Sequence, residues 1–164
     1  MRLTLIRHAE AGDDAPRDES RALTIRGRKE ARRVGRALGR RGVSFSLIVS
    51  SPLFRALQTA EIVAAAVDFR GRVLSSDLIL PEADPKPVIA YLQSLEGERS
   101  VALVAHEPIL SRVAARLIQE PSYPPLRKAE ALRIRIPERS GGGPVLAGVL
   151  RWRVDPASGR RERL

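Results

Sequence analysis

Two histidines are the residues of this chain whose type and placement could carry out a reaction. His106 comes directly after a short apolar run, His8 follows another such run with only Arg7 between, and the chain has no other histidine. A neutral imidazole can attack phosphorus, because a histidine with a pKa of ~6.5 is mostly unprotonated at neutral pH. A second imidazole can donate a hydrogen bond or a positive charge to phosphoryl oxygens. Together, the pair would suit phosphoryl transfer.

Three arginines accompany these histidines. Arg7 precedes His8, Arg55 falls in the first turns of a predicted helix, and Arg21 lies in the loop after the first predicted strand. A guanidinium group matches two phosphate oxygens at once and stays charged at any relevant pH. The chain has no GxxxxGK[ST] loop, so a nucleoside triphosphatase has no support.

Alternating strand and helix patterns predict a three-layer α/β/α sandwich with a mostly parallel central sheet. The predicted strands are residues 2–6, 45–49, 72–75 and 100–105, and the predicted helices are residues 24–41, 53–67, 88–95 and 108–118. Residues 131–136 and 145–154 predict a C-terminal β-hairpin around a glycine-rich connection. We expect one domain over residues 1–164, with a frayed tail after about residue 156.

This sheet would bring the candidate residues together. Open α/β sheets bind ligands beyond the carboxyl ends of their strands, and both histidines follow predicted strands there. The segment from Ser51 to Arg55 also follows a predicted strand. Ser51 as the cap and Pro52 as the first helical residue predict a helix start, and a helix N-terminus attracts anions.

The charge balance is strongly basic, with 29 Lys+Arg against 19 Asp+Glu and a net charge of +10. Such a field attracts phosphates, nucleic acids and acidic proteins. The predicted helix 24–41 carries much of this charge, and a solvated basic face is its favoured interpretation. Its arginine density also leads us to expect that it steers an acidic partner towards the site. Nucleic acid is an unfavoured partner, because aromatic residues make up only 4% of the chain.

The absence of cysteine excludes disulfides, thiolate zinc sites, iron–sulfur clusters and a cysteine nucleophile. Two histidines are too few for a histidine-rich metal centre, so we expect no metal and no cofactor. Charge interrupts the N-terminal apolar run too early for a signal peptide, and no run reaches the ~18 apolar residues that span a bilayer. We therefore expect a cytoplasmic protein without a membrane partner.

Several segments resemble motifs of the histidine phosphatase superfamily, which has the phosphoglycerate mutase-like fold. The RHG signature resembles LIRHAEA, with Ala9 in place of the usual glycine, and the block S-P-x-x-R-A-x-Q-T-A resembles SSPLFRALQTAEIV. The block that carries the second histidine resembles VAHEP. The L-T-x-x-G segment of the SixA-type phosphohistidine phosphatases, a short bacterial branch, resembles RALTIRG. The resemblance spans roughly residues 3–156.

The resemblance implies a metal-independent phosphatase with a two-step mechanism. His8 would be the nucleophile and would become transiently phosphorylated. Arg7, Arg55 and His106 would form the phosphate pocket, and Arg21 would be a further substrate contact.

The resemblance also implies a carboxylate that protonates the leaving group. Glu82 is the nearest match by position, and Asp84 is the alternate. A phosphohistidine leaving group asks less of such an acid, because its own ring nitrogen can be protonated. Alanine at position 9 indicates a backbone that needs no positive φ there.

Phosphohistidine on a protein, such as a histidine phosphotransfer domain, is the leading substrate that the resemblance implies. The chain is too short for the insertions that cap the pocket in the mutases, so the site should be open to a protein side chain. A phosphatase of small phosphomonoesters or other phosphorylated metabolites is the alternative. A basic polyanion-binding protein is the non-enzymatic alternative.

Overall fold

The computed structural model describes residues 1–137 and 148–164, which form one seven-stranded sheet and four α-helices. The strands are β1 (Arg2–Arg7), β2 (Leu47–Ser50), β3 (Leu74–Ser75), β4 (Ser100–Ala105), β5 (Ala131–Arg135), β6 (Val149–Val154) and β7 (Arg161–Arg163). The helices are α1 (Ile25–Gly39), α2 (Phe54–Ala66), α3 (Pro85–Ser94) and α4 (Ile109–Ile118). The strand order is β3-β2-β4-β1-β5-β6-β7.

The central strands bury side chains on both faces of the sheet. Leu3 and Leu5 of β1 pack in one apolar cluster with α3 and α4, whereas Ile6 packs in a second cluster with α1 and α2. Successive side chains of a strand point to opposite faces, so an unbroken apolar strand needs a helical layer on each side. The predicted three-layer sandwich is confirmed.

The sheet has a parallel half and an antiparallel half. Strands β3, β2, β4 and β1 run parallel, whereas β5, β6 and β7 extend the sheet with antiparallel pairings. Arg7 at the end of β1 pairs with Ala105 at the end of β4, and Ser50 of β2 pairs with Val104. The carboxyl ends of the three strands are therefore level, and the residues that follow them share one edge.

The start of α1 is as predicted. The Thr24 side chain caps the helix by accepting a hydrogen bond from Gly27 N at 2.9 Å. A Cβ atom at Gly27 would lie 2.0 Å from the Glu10 carbonyl oxygen, so only glycine allows this close approach. The contact fastens the N-terminal end of α1 to the segment that follows His8.

The predicted cap of α2 and the predicted start of α3 are wrong. Helix α2 begins at Phe54 with Leu53 as its N-cap, so Ser51 and Pro52 lie before it. Ser51 is held by β4 instead, because its N–H donates to the Val104 carbonyl at 3.0 Å. Helix α3 begins earlier than predicted, at Pro85, because proline is tolerated in the first turn of a helix.

The C-terminal hairpin is confirmed in outline, since β5 and β6 pair antiparallel. The glycine-rich connection within 138–147 lies outside the described residues. The expectation of a frayed tail is wrong: Arg161–Arg163 form β7 against β6. The Asp155 carboxylate accepts from Ser158 N at 2.7 Å, and Arg33 donates to the Pro156 carbonyl at 3.1 Å. The local contact of Asp155 and the long-range contact from Arg33 of α1 hold the turn that brings the chain back onto the sheet.

Candidate active site

The structure brings His8 and His106 together. Their ring centroids lie 5.0 Å apart with 51° between the ring planes, although 98 positions separate them in the sequence. His8 follows β1 and His106 follows β4, so the parallel pairing of these two strands places both rings at one edge. His106 is only 2% exposed, whereas His8 keeps 9% of its surface accessible. Of the two, His8 is the more open to a ligand.

Hydrogen bonds determine which nitrogen of His8 is protonated. Its Nδ1 lies 2.7 Å from the Ala9 carbonyl oxygen. A carbonyl can only accept, so Nδ1 carries the proton and Nε2 of the neutral ring keeps its lone pair. The His8 backbone is held on both sides, because its N–H donates to Ala105 and its carbonyl accepts from Ala129. The ring therefore presents an unprotonated nitrogen from a fixed backbone.

The burial of the site keeps both imidazoles neutral. Burial is the largest cause that lowers the pKa of His8 from 6.5 to about 4, with Arg55 and Arg7 adding to it against the hydrogen bond to Ala9. Burial, followed by the proximity of His8 and of Arg55, lowers the pKa of His106 from 6.5 to about 3. The His8 Nε2 lone pair is thus available throughout the neutral pH range.

Arg7 is positioned by the segment before β5. Its Nη1 donates to the Leu126 carbonyl at 2.7 Å, while its buried Nε finds no hydrogen-bond partner among residues 1–137 and 148–164. Glu107 fixes that segment, because its carboxylate accepts from Leu126 N at 2.9 Å and from the Ser111 hydroxyl at 2.6 Å. Sequence reasoning missed Glu107, whose only signal was its place beside His106.

Arg55 is 6% exposed and is held by a carboxylate that faces solvent. Its Nη1 donates to the Asp18 carbonyl at 2.8 Å, and its Nη2 donates to the Asp18 carboxylate at 3.0 Å. Hydrogen bonds from Arg21 first, and then from Arg55, hold the pKa of Asp18 below its ordinary value. Asp18, which the sequence analysis missed, is therefore ionised at neutral pH and binds the arginine that the sequence predicted as a phosphate contact.

In the described part of the chain, Arg21 is linked to Arg55 through Asp18. It donates to the other Asp18 carboxylate oxygen at 3.1 Å, to the Gly12 carbonyl at 2.8 Å and to the Asp13 carboxylate. Among the contacts that the structure describes, none joins Arg21 to either histidine. Its guanidinium is committed to carboxylates and a carbonyl, so a direct substrate contact would require it to exchange them.

Thr59 links α2 to Ala9, the residue that follows His8. Its fully buried hydroxyl donates to the Arg55 carbonyl at 2.7 Å and accepts from Ala9 N at 3.0 Å. Ala9 is not among the described non-glycine residues with positive φ. Alanine in place of glycine is therefore compatible with this backbone, as the sequence analysis inferred.

The candidate acids, Glu82 and Asp84, lie between β3 and α3. Glu82 is exposed in a turn between β3 and α3, and no described hydrogen bond or ion pair involves it. The Asp84 carboxylate caps α3 by accepting from Lys86 N at 2.9 Å, which gives it a structural task. The structure describes no hydrogen bond or ion pair from either residue to the histidines, so the role of Glu82 stays a prediction.

Outside this edge, two searches of the described residues were negative. No group of three or more His, Asp or Glu side chains is arranged to hold a metal ion in residues 1–137 and 148–164. No helix of the described part of the chain is long and apolar enough to cross a membrane.

Known proteins share the sequence blocks that build this edge. Residues 3–78 match the family model described as "Histidine phosphatase superfamily (branch 1)". The chain is 31% identical over 164 residues to the phosphohistidine phosphatase SixA of Escherichia coli (strain K12), covering 96% of each protein. The match thus spans both halves of the sheet.

Solved structures are similar over nearly the whole chain. The protein histidine phosphatase SixA, solved in complex with tungstate, superposes with a TM-score of 0.87 at 27% identity, covering 96% of this chain and 98% of that one. The α-ribazole phosphatase of Shigella flexneri superposes with a TM-score of 0.73 at 21% identity, over 92% of this chain and 95% of that one. The second likeness shows the fold alone.

Proposed function

Because this chain belongs to the histidine phosphatase superfamily, we propose that it removes phosphate from phosphohistidine on a protein through a phosphorylated His8. The comparisons confirm the predicted family, fold and phosphatase class. The observation that carries the proposed mechanism is the His8 ring, whose Nδ1–H is bound to Ala9 O and whose Nε2 is unprotonated beside His106.

In the first step, the Nε2 lone pair of His8 attacks phosphorus, and the bond from phosphorus to the leaving group breaks. Negative charge on the three equatorial oxygens is stabilised by Arg7 and Arg55, together with His106. The leaving imidazole takes its proton on its own ring, so phosphohistidine needs little help from an acid such as Glu82. The hydrogen bond from Nδ1 to Ala9 O steadies the phosphorylated ring.

In the second step, a water molecule attacks the phosphoryl group on His8. The N–P bond breaks, inorganic phosphate leaves with the new oxygen, and Nε2 recovers its lone pair. The same guanidinium groups stabilise this transition state, because the transferred group has the same charge in both steps. The same phosphate pocket therefore serves both steps of the reaction.

Two observations support a protein substrate over a small one. His8 lies at the strand edge and retains 9% exposure, and we propose that a side chain carried on another protein reaches its Nε2 there. The relative that is similar over 96% of both chains is a phosphohistidine phosphatase. The field of the +10 chain would in addition attract an acidic partner.

Phosphate trapping tests the mechanism. A ³²P-phosphohistidine peptide, mixed with the enzyme in EDTA and quenched in alkali, should label the peptide that contains His8. His8→Asn should lose both label and turnover, whereas His106→Asn should lose most turnover but keep a slowly formed label on His8. Label on His106, or turnover that persists in His8→Asn, would overturn the mechanism, and turnover abolished by EDTA would overturn its metal independence.

Substrate preference is read separately, from kcat/KM for the phosphohistidine peptide and for a small aryl phosphate. We expect the peptide to be preferred. Equal or lower values for the peptide would make a small phosphomonoester the substrate class. Equal background hydrolysis in the wild type and in His8→Asn would leave polyanion binding as the better account of the basic surface.

A further inference from the structure

Ser51 and His106 share a buried hydrogen bond that the mechanism above does not use. The Ser51 hydroxyl lies 2.8 Å from Nε2 of His106. Ser51 is fully buried and His106 is 2% exposed, so bulk solvent offers neither group an alternative hydrogen-bond partner. The other ring nitrogen of His106, Nδ1, is buried and has no hydrogen-bond partner in the described ranges.

A count of protons decides the direction of this bond. The Ser51 hydroxyl already accepts a hydrogen bond from Leu53 N at 3.3 Å, and its single hydrogen needs an acceptor. Nε2 of His106 is the one acceptor that the described contacts offer to it. If Nε2 donated instead, both the Ser51 hydrogen and the Nδ1 lone pair would be buried without a partner, whereas with Nε2 as the acceptor only the Nδ1–H is unpaired. An unpaired buried polar group costs about 1–3 kcal/mol. The hydroxyl therefore donates, and Nε2 accepts.

We propose that Ser51 is a positioning residue that fixes His106 in the neutral tautomer with the proton on Nδ1, so that this N–H is presented to the phosphoryl group at His8. A hydroxyl that donates to Nε2 leaves the ring proton on Nδ1. The unpartnered N–H would then gain an acceptor when a phosphoryl oxygen arrives. The role in turnover rests on the proposed phosphoryl transfer at His8, whereas the tautomer does not.

The inference also decides what His106 gives to the transition state. Sequence reasoning left open whether this ring supplies a hydrogen bond or a positive charge. Burial, with His8 and Arg55 nearby, lowers the pKa of His106 to about 3, so the ring of the unliganded enzyme is neutral at neutral pH. His106 therefore contributes a neutral hydrogen bond, and the positive charge at the site comes from arginine.

Nitrogen-15 NMR of the two histidine side chains in the unliganded enzyme at pH 7 tests the tautomer. In the wild type, His106 should show a protonated Nδ1 and a pyridine-type Nε2. A protonated Nε2 on His106 would overturn the proposal without any variant. This measurement does not depend on turnover, so it stands even if the proposed phosphatase mechanism fails.

Variants test the consequence for catalysis. Ser51→Ala should move His106 towards the Nε2-protonated form and lower kcat, whereas Ser51→Thr, which keeps the hydroxyl, should restore both. Loss of one transition-state donor costs about 10²- to 10³-fold. Because Ser51→Ala leaves His106 free to present either nitrogen, we expect a smaller loss, on the order of tenfold. A changed tautomer with unchanged kcat would contradict the role in turnover.

Ser50→Ala is the matched control. Ser50 is equally buried and adjacent, but its hydroxyl donates to the Ser51 carbonyl at 2.9 Å and meets neither imidazole. This variant should keep the His106 tautomer and kcat. A tenfold loss in Ser50→Ala, with the tautomer unchanged, would show that any buried hydroxyl here serves packing, and it would overturn the assignment to Ser51.

Discussion

Arg55 and Arg133 are both almost fully buried, at 6% and 5% exposure, but they lie towards opposite edges of the sheet. Arg55 faces the carboxyl edge and is paired with Asp18, whose side chain is 58% exposed. Arg133 reaches back towards the amino edge, where it donates to the hydroxyls of Thr4 at 2.5 Å and Ser100 at 3.2 Å. Both edges thus satisfy a buried guanidinium with oxygen atoms.

The difference lies in what can replace those partners. The Asp18 carboxylate reaches Arg55 from solvent, so a phosphate can take its place. The hydroxyls around Arg133 are part of the strands β1 and β4. Burial, followed by the nearby charge of Arg2, lowers the pKa of Arg133 to about 10. A buried arginine therefore indicates an anion site only where its partner is exchangeable.

Removal of each arginine should give the largest contrast. Arg55→Ala should lower kcat/KM by about 10²- to 10³-fold, because it deletes a charged donor to the transition state. Arg133→Met should leave kcat/KM within about twofold, because buried charges that touch no substrate act on stability alone. Steady-state kinetics on samples with matched circular dichroism checks both, and an equal loss of activity in the two variants would contradict the distinction.

The dependence of folding stability on acidic pH should come from the edge that carries the two histidines and not from the edge that carries Arg133. His8 and His106 have folded pKa values of about 4 and about 3, below the unfolded value of 6.5. At a pH between the folded and the unfolded pKa of each histidine, the unfolded chain binds more protons than the folded chain. Stability is therefore lost as pH falls below 6.5, by up to about 1.4 kcal/mol per pH unit for each histidine.

Urea denaturation between pH 5 and pH 7.5 measures this slope. The double variant His8→Asn/His106→Asn should flatten it, and Arg133→Met should keep it, because Arg133 titrates only at alkaline pH. If the double variant retained the wild-type slope, the two buried imidazoles would not be its source.

The smallest expected effect concerns the carboxylate of Asp18, which pairs with Arg55. Asp18→Asn should tighten competitive inhibition by inorganic phosphate about fivefold, because phosphate would no longer displace a charge worth roughly 1 kcal/mol from Arg55. Asp13→Asn is the control, since Asp13 pairs with Arg21 and does not touch Arg55. Weaker phosphate inhibition in Asp18→Asn would mean that Asp18 orients Arg55 for binding and does not compete with phosphate.

The sequence predicted the elements and the reactive pair well, for identifiable reasons. Strand β4 is an apolar run after Ser100, and β1 is apolar between its terminal arginines except at Thr4. A strand buried on both faces needs such a largely apolar pattern. Thr24, whose hydroxyl can cap a helix, correctly predicted the start of α1. His8 and His106 could be placed at one edge because strand ends and sheet direction suffice for that inference.

Other features were out of reach. Ser51 was wrongly predicted to cap α2. A serine followed by proline looks the same in the sequence whether its hydroxyl caps a helix or, as here, binds a distant imidazole. The polar tail looked frayed because β7 has no apolar pattern, and its order comes from pairing with β6.

The chain's local patterns alone determined that helices and strands alternate, that two imidazoles follow buried strands, and that a guanidinium opens the second helix. Tertiary structure alone decided the partners: Ser51 meets His106 across 55 positions, and Asp18 meets Arg55 across 37. The physical reason is that periodicity and capping act within a few residues, whereas these hydrogen bonds form only after sheet pairing and helix packing have brought remote segments into contact.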